Sequence, residues 1–286
     1  PLQAPLARVL QYLFNPDLPT YTATPSLVRL GGWHDPSKVA DALRDAWKRL
    51  PGVESPIVFR GVEHEETTPD LTAGVYYDYD MNRLVILCNV EGRDVLISVS
   101  KLMGPSSVGK KGLQVGGDKG WTFFYSGING NLYKGAGWAD SYIYDSASVF
   151  IYVQPDPKAP VTKVGMFKWV RAGWANINMV GRKEIQEGCR RYAAEFQNIL
   201  LSPSLPQPED IKSKVSAIMA MPESDMDQQL SPLARVIEDA AKGDPRLQSL
   251  EFQSLVNGGG YINSLDRQDK ISELIKQYLG SVLRGQ

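Results

Sequence analysis

Two histidines, His34 and His64, are the only imidazoles in the chain, which limits the metal and acid–base chemistry available to it. His64 lies in the polar run 63–66, whose sequence is Glu-His-Glu-Glu. In an extended backbone, alternation would place Glu63 and Glu65 on one face and His64 and Glu66 on the other. These residue types could hold a metal ion or exchange protons, but such dense charge is more typical of a solvated loop. We therefore interpret the run as a loop and predict neither a metal site nor a cofactor.

Side chains suited to nucleophilic catalysis are few. A Ser-His-Asp triad would have to use one of the two histidines, and no Gly-x-Ser-x-Gly turn occurs. Cys88 lies in an apolar run and Cys189 in a helical pattern, so we expect both to be small buried hydrophobic residues rather than activated thiols. If the protein is an enzyme, its catalytic groups would be carboxylate, tyrosine or lysine side chains. We keep such an enzyme as an alternative hypothesis.

A near-match to a phosphate-binding loop occurs at 104–111, Gly-Pro-Ser-Ser-Val-Gly-Lys-Lys. Lys111 stands where the motif needs a serine or threonine to bind Mg²⁺. The glycine-rich sequence that follows is a poor helix former, whereas the motif needs a helix N-terminus. We predict a long surface loop over 104–120, with a lid over a pocket as the functional alternative.

The most informative segment is 162–178, in which aromatic and basic residues alternate with aliphatic ones. Read as a strand, its even positions form a mostly aliphatic face and its odd positions an aromatic and basic face. The residues on the odd face are Lys163, Gly165, Phe167, Trp169 and Arg171.

Three interpretations fit that aromatic and basic face. It could stack on nucleic acid across an open sheet, line a cavity for an amphipathic molecule, or belong to the core with Lys and Arg at its rim. The lack of a known RNA-binding motif and a pI of about 6.3 argue against nucleic acid. We assign ligand binding to six residues. These are Lys163, Phe167, Trp169 and Arg171, with Trp121 and Tyr125 as cavity wall.

Positive charge is concentrated in the middle of the chain, although the net charge is only −1. Residues 101–191 carry 13 basic and 6 acidic side chains, while both flanking thirds are acidic. A basic middle can attract an anionic ligand, or it can be neutralised by acidic flanks that fold against it.

The order of predicted elements indicates an α+β fold. Short N-terminal helices precede a region from about 55 to 172 with period-two, β-branched and aromatic patterning. Its short connections require antiparallel strands, of which we expect about seven or eight in one curved sheet. The apolar stripe of 182–201 predicts a long amphipathic helix that packs on this sheet. We expect an α+β domain over 1–206 and a helical subdomain or arm over 207–286, whose helices include one that starts at Pro232.

In element order the chain resembles the helix-grip folds of lipid- and hormone-binding proteins. That resemblance rests on the layout of helices and sheet and on no motif, and a fold alone does not assign a function. Our preferred hypothesis is non-enzymatic binding of a hydrophobic or amphipathic, and in one version anionic, small molecule between the sheet and helix 182–201. A third hypothesis, beside the enzyme, is a module that binds a partner protein through 208–286.

Membrane and targeting signals are weak. No run of about 18 apolar residues occurs, so we predict no transmembrane segment. The 13 tyrosines and 6 tryptophans, with 22% charged residues, favour an exported or periplasmic protein whose leader is absent from this chain.

Overall fold

The computed structural model describes residues 1–70, 74–115, 120–130, 139–243 and 250–284. Its centre is a six-stranded sheet, antiparallel throughout, with the strand order β1-β2-β4-β5-β8-β9. Helices lie before and after this sheet in the chain, so the predicted α+β class is confirmed. Its strands are β1 (Val28–Trp33), β2 (Ile57–Thr67), β4 (Asp78–Val90), β5 (Arg93–Leu102), β8 (Ser141–Val153) and β9 (Lys163–Trp174).

A second, three-stranded sheet replaces part of the single curved sheet that the sequence predicts. Its strands are β3 (Val75–Tyr76), β6 (Lys110–Gln114) and β7 (Phe123–Asn129), in the order β3-β6-β7. Strand β6 lies inside the segment 104–120 that we expected to be a loop. Lys110 and Lys111 therefore begin a strand and not a phosphate-binding helix, and Lys111 forms an ion pair with Glu251 at 3.0 Å.

The charged run 63–66 lies within β2, which corrects its interpretation as a solvated loop. Strands β1 and β4 pair with β2 on its two sides, and Glu63 and Glu66 are buried. Charge did not prevent strand formation because each of these two carboxylates has an arginine partner, of which Arg29 is buried and Arg83 is partly buried. Glu63 pairs with Arg83 and Glu66 pairs with Arg29.

Helices lie in the predicted N-terminal and C-terminal regions, with one difference at Pro232. Asp35 caps the second helix by accepting a hydrogen bond from the Lys38 N–H at 3.2 Å, and this helix ends at Leu43, before Asp45 with φ of 61°. Pro232 lies inside a longer helix instead of starting one. The helices are α1 (Leu6–Leu13), α2 (Pro36–Leu43), α3 (Arg182–Leu201), α4 (Pro208–Met219), α5 (Glu223–Gly243), α6 (Leu250–Val256), α7 (Gly260–Ser264) and α8 (Arg267–Arg284), with 3₁₀ turns at Ala46–Arg49 and Asn257–Gly259.

Helix α3 has the predicted bounds, and its two halves pack differently. In the C-terminal half, Phe196, Ile199 and Leu200 are buried. Tyr192 and Phe196 contact aromatic rings of β8, with the Tyr192 and Phe150 centroids 5.2 Å apart. In the N-terminal half the apolar side chains are only half-buried. That half therefore leaves space between the helix and the sheet.

The C-terminal helices pack against both sheets. Phe124 of β7 contacts Phe252 of α6 and Tyr261 of α7, with ring centroids 5.5 and 5.3 Å apart. On α8, Ser272 donates a hydrogen bond to the carbonyl oxygen of Arg29 in β1 at 2.7 Å. A single group of buried apolar side chains includes residues from both sheets and these helices.

Buried charges lie where α8 meets β1. Arg29 forms ion pairs with Glu66 at 2.7 Å and with Asp269 of α8 at 2.6 Å, and its guanidinium lies 4.1 Å from the ring centroid of Tyr125. Burial disfavours its charge, but Glu66 and Asp269 outweigh burial and hold the pKa of Arg29 above its ordinary value. This network joins a strand of the main sheet to the last helix.

Candidate functional site

A cavity of about 390 Å³ lies between the main sheet and the N-terminal half of α3. Its size falls within the range of small-molecule sites in proteins. The sheet supplies the floor, while α3 and the segment that follows α1 supply the cover. Apolar side chains that line the cavity include Phe14, Leu27, Trp33, Phe150, Val170 and Ile185.

Polar side chains on the floor follow from the strand register. Arg83 lies opposite Ser100, Ser100 opposite Ser148, and Ser148 opposite Lys168, so these four residues form one row across four strands. All four line the cavity. The hydroxyls of Ser100 and Ser148 are hydrogen-bonded to each other at 2.7 Å. The floor therefore offers hydrogen-bonding groups beneath apolar walls.

Three charged groups of the floor, Arg83, Glu63 and Glu65, have hydrogen-bond partners. Arg83 donates to Glu63 through Nε and to the hydroxyl of Ser98 through Nη1, the latter at 3.0 Å. Tyr79 donates its hydroxyl proton to Glu65. The predicted alternation in 63–66 is present, since both Glu63 and Glu65 face the cavity and His64 does not line it.

Burial and neighbouring charges together shift the pKa values of these groups. Burial raises the pKa of Glu63 above its ordinary value, and the Arg83 charge offsets only part of this effect. For Arg83, burial disfavours the charge, but Glu63 and Glu65 outweigh it and raise the pKa of the guanidinium. Burial raises the pKa of the Tyr79 phenol well above 10, so Tyr79 is a neutral hydrogen-bond donor.

Lys168 lies at the edge of the cavity and is exposed. Among the residues that the structure describes, it forms no ion pair. Gly188 of α3 also lines the cavity, and a Cβ atom added there would meet nothing within 4 Å. Cys189 lines the same wall and is a free, half-buried thiol. Cys88 is also free and half-buried. We expected both cysteines to be buried, and neither is fully buried.

The four β9 residues assigned to ligand binding lie together, but on the opposite face of the sheet. Phe167 and Trp169 are 52% and 59% exposed, and Lys163 and Arg171 are exposed as well. Arg171 packs over the Tyr144 ring at 4.9 Å and donates to the side chain of Asn176. None of the four lines the cavity, because the even positions of β9 face inward.

Trp121 and Tyr125, which we expected to form cavity wall, belong to the region of the second sheet. Trp121 precedes β7 and has the Arg284 guanidinium 5.7 Å from its ring centroid. Tyr125 is buried beside Arg29 and Tyr76. Neither residue lines the cavity between α3 and the main sheet.

A second polar group lies on the outer face of the main sheet. The side chains of His34, His64 and Asp80 converge, and each histidine has a ring nitrogen within 3.0 Å of the Asp80 Oδ1 atom. Partial burial raises the pKa of Asp80, but the hydrogen bonds to His64 and His34 outweigh it and lower the value overall. This convergence could not be predicted from the sequence because the three residues are far apart along the chain.

Protein-family models, curated proteins and solved structures were compared with the chain, and none of them matches it. Within the described ranges, no helix has both the length and the apolar character required to cross a membrane.

Proposed function

We propose that the protein binds one amphipathic small molecule in the cavity between α3 and the main sheet. The observation that carries this proposal is the cavity itself. It has a volume of about 390 Å³, apolar walls and a row of hydrogen-bonding side chains on its floor. An apolar ligand body would be removed from water by the walls, which stabilises binding by about 25 cal/mol for each Å² of apolar surface buried.

The polar end of the ligand is proposed to be neutral, with hydroxyl or similar groups. The floor guanidinium, Arg83, is already paired with Glu63, and a second carboxylate, Glu65, faces the same space. A ligand carboxylate there would be repelled by Glu65 and would compete with Glu63 for Arg83. Hydroxyl groups can instead donate to Glu65 and exchange hydrogen bonds with Ser100 and Ser148. Two cationic side chains of the described ranges line the cavity, Arg83 and Lys168. Among the described residues Lys168 has no ion-pair partner, so an acidic ligand could contact it at the cavity edge without displacing another carboxylate.

Gly188 offers a direct test of this site. We expect Gly188→Trp to fill the cavity and to weaken binding of the neutral fluorescent probe N-phenyl-1-naphthylamine at least tenfold. Gly188→Ala should leave binding within twofold and raise the free energy of unfolding by about 0.5–1 kcal/mol, because alanine is the better residue in a helix. Fluorescence titration measures the first effect, and urea unfolding measures the second.

The outer face provides the matched control for the Gly188 variants. Trp169→Ala and Arg171→Ala should leave probe binding unchanged, since both side chains lie away from the cavity. Equal probe binding by Gly188→Trp and the wild type would contradict the proposed site. Loss of binding in Trp169→Ala instead would move the site to the outer face.

A second candidate function, an enzyme acting on the cavity ligand, is favoured by the two inward carboxylates. Glu63 has a raised pKa, as acid–base groups often do, and the Tyr79 donor contacts Glu65. Recovery of the bound molecule separates the two functions. A molecule released unchanged after long incubation supports binding alone, whereas conversion by the wild type and not by Glu65→Gln supports catalysis.

A further inference from the structure

The only two histidines of the chain meet on one carboxylate oxygen, although 30 positions separate them in the sequence. The strand register explains this convergence. His64 of β2 lies opposite Asp80 of β4 on one side and opposite Gly32 of β1 on the other. His34 follows β1, and its N–H donates to the Val62 carbonyl oxygen at 3.0 Å, which continues the pairing with β2. Three adjacent strands thus hold the three side chains on one face.

The three side chains lie close enough together for small side-chain movements to place them around one ion. His34 Nε2 and His64 Nδ1 lie 3.0 and 2.9 Å from Asp80 Oδ1, and the three candidate ligand atoms lie within 4.8 Å of one another. Tetrahedral ligands that share one ion at about 2.0–2.2 Å are themselves separated by roughly 3.3–3.6 Å, so each imidazole would move away from the carboxylate by about half an ångström. An ion between them would replace the protons that now bridge each imidazole and the carboxylate.

Space for an ion and for further ligands is present at this cluster. Gly32, opposite His64, has nothing within 4 Å of the position that a Cβ atom would take. The side chains of His34, His64 and Asp80 are 50%, 43% and 40% exposed, so solvent reaches all three. The nearby Asp78 is engaged by the Ser107 hydroxyl at 2.7 Å and by Lys110 at 3.3 Å. The cluster therefore supplies three protein ligands and leaves further coordination positions to water.

We propose that His34, His64 and Asp80 bind one divalent transition-metal ion of the Zn²⁺ class on the outer face of the main sheet. Two imidazoles with one carboxylate suit Zn²⁺, Co²⁺, Ni²⁺ or Fe²⁺, whereas Mg²⁺ and Ca²⁺ prefer oxygen ligands alone. A three-ligand site open to water is the arrangement in which a bound ion can take a further ligand. The site lies on the opposite face of the sheet from the cavity, so the proposal does not depend on the proposed function.

Metal titration of the untagged full-length chain tests this site. Isothermal titration with Zn²⁺ should give one ion per chain, and His34→Gln, His64→Gln and Asp80→Asn should each weaken binding at least tenfold. Two controls should stay within twofold of the wild type. They are Asp145→Asn, which changes a half-exposed aspartate paired with Lys101, and the double variant Cys88→Ser/Cys189→Ser, which removes both thiols.

Imidazole NMR signals provide a second measurement that does not depend on any variant folding. The wild-type chain has only two histidine ring systems, and Zn²⁺ should shift both together with a one-to-one endpoint. Mg²⁺ should shift neither. Absence of stoichiometric Zn²⁺ binding, or Zn²⁺ binding that both histidine variants retain, would overturn the proposal. Loss of binding only in the double cysteine variant would also overturn it and would assign the ion to the thiols.

Discussion

Replacement of Arg29 by methionine is expected to lower the free energy of unfolding by about 3–5 kcal/mol at pH 7, as removal of one partner from a buried ion pair does. Arg29 is buried between β1 and α8, where it contacts Glu66 at 2.7 Å and Asp269 at 2.6 Å. Methionine keeps most of the side-chain volume and removes the charge. The two carboxylates would then be buried without a counter-charge, and urea unfolding would measure the cost.

Two further measurements separate this charge effect from simple loss of packing. Burial raises the pKa of both Glu66 and Asp269 even beside Arg29, and without Arg29 both values should rise further. Acidification to pH 5 should therefore protonate the carboxylates of the variant and reduce its deficit. Arg44→Met, which breaks an arginine–aspartate pair that is partly exposed, should cost less than about 1 kcal/mol. Equal losses in Arg29→Met and Arg44→Met would contradict the buried network.

Lys276→Met is expected to raise the free energy of unfolding by about 2 kcal/mol at pH 7, the opposite of the effect at Arg29, because burial disfavours the Lys276 charge more than its neighbours stabilise it. Lys276 and Glu273 are both buried on α8, and among the described residues the Lys276 ammonium has no hydrogen-bond partner. Burial lowers the pKa of Lys276 to about 8, and Glu273 offsets part of this shift. The charged groups that act on Lys276 besides Glu273 are Arg29, Glu195 and Glu66. Methionine removes this buried charge, and the double variant Glu273→Leu/Lys276→Met, which also removes a carboxylate whose pKa burial raises, should be at least as stable as the single variant. A loss of stability in Lys276→Met at pH 7 would contradict this expectation.

The pH dependence of stability gives an independent check on Lys276. Below pH 8 this lysine is protonated in both states, and from pH 8 to about 10.5 only the unfolded chain keeps the proton. Because the unfolded state then binds more protons, the free energy of unfolding should rise with pH, by about 2 kcal/mol between pH 7.5 and 9.5. Lys276→Met should lack this increment. Parallel stability curves for the variant and the wild type would show that Lys276 keeps an ordinary pKa.

The sequence predicts the helices better than the faces of the strands. The spacing of Ile185, Cys189, Tyr192 and Phe196 allows only one buried side, so both the bounds and the orientation of α3 follow from it. Strand β9 carries apolar residues on both faces, and period two does not tell which face is inside. Aromatic rings suggested the odd face, but the inward face is the aliphatic one, which includes Val170 and the cavity lysine, Lys168.

Polar residues of the cavity floor escaped prediction because their partners are distant in sequence. Glu63 in isolation is typical of a loop, and only pairing with Arg83 of the neighbouring strand makes its burial tolerable. Nothing in the sequence around Ser100 or Ser148 indicates a binding site, and only the strand register places the two residues opposite each other. A local cue existed in the alternation of 63–66, which correctly separated Glu63 and Glu65 from His64. Interpreted as a strand, residues 63–66 predict that Glu63 and Glu65 lie on one face of the sheet and His64 on the other.

Native mass spectrometry tests the central claim, that the cavity holds one small molecule. The wild-type chain would be incubated with long-chain alcohols, fatty acids of matched length and sterols, then compared with a denatured sample. We expect one adduct per chain that denaturation removes, with alcohols retained more strongly than acids, and little adduct on Gly188→Trp. A chain that carries no adduct from any class, or equal adducts on the wild type and Gly188→Trp, would contradict the central claim.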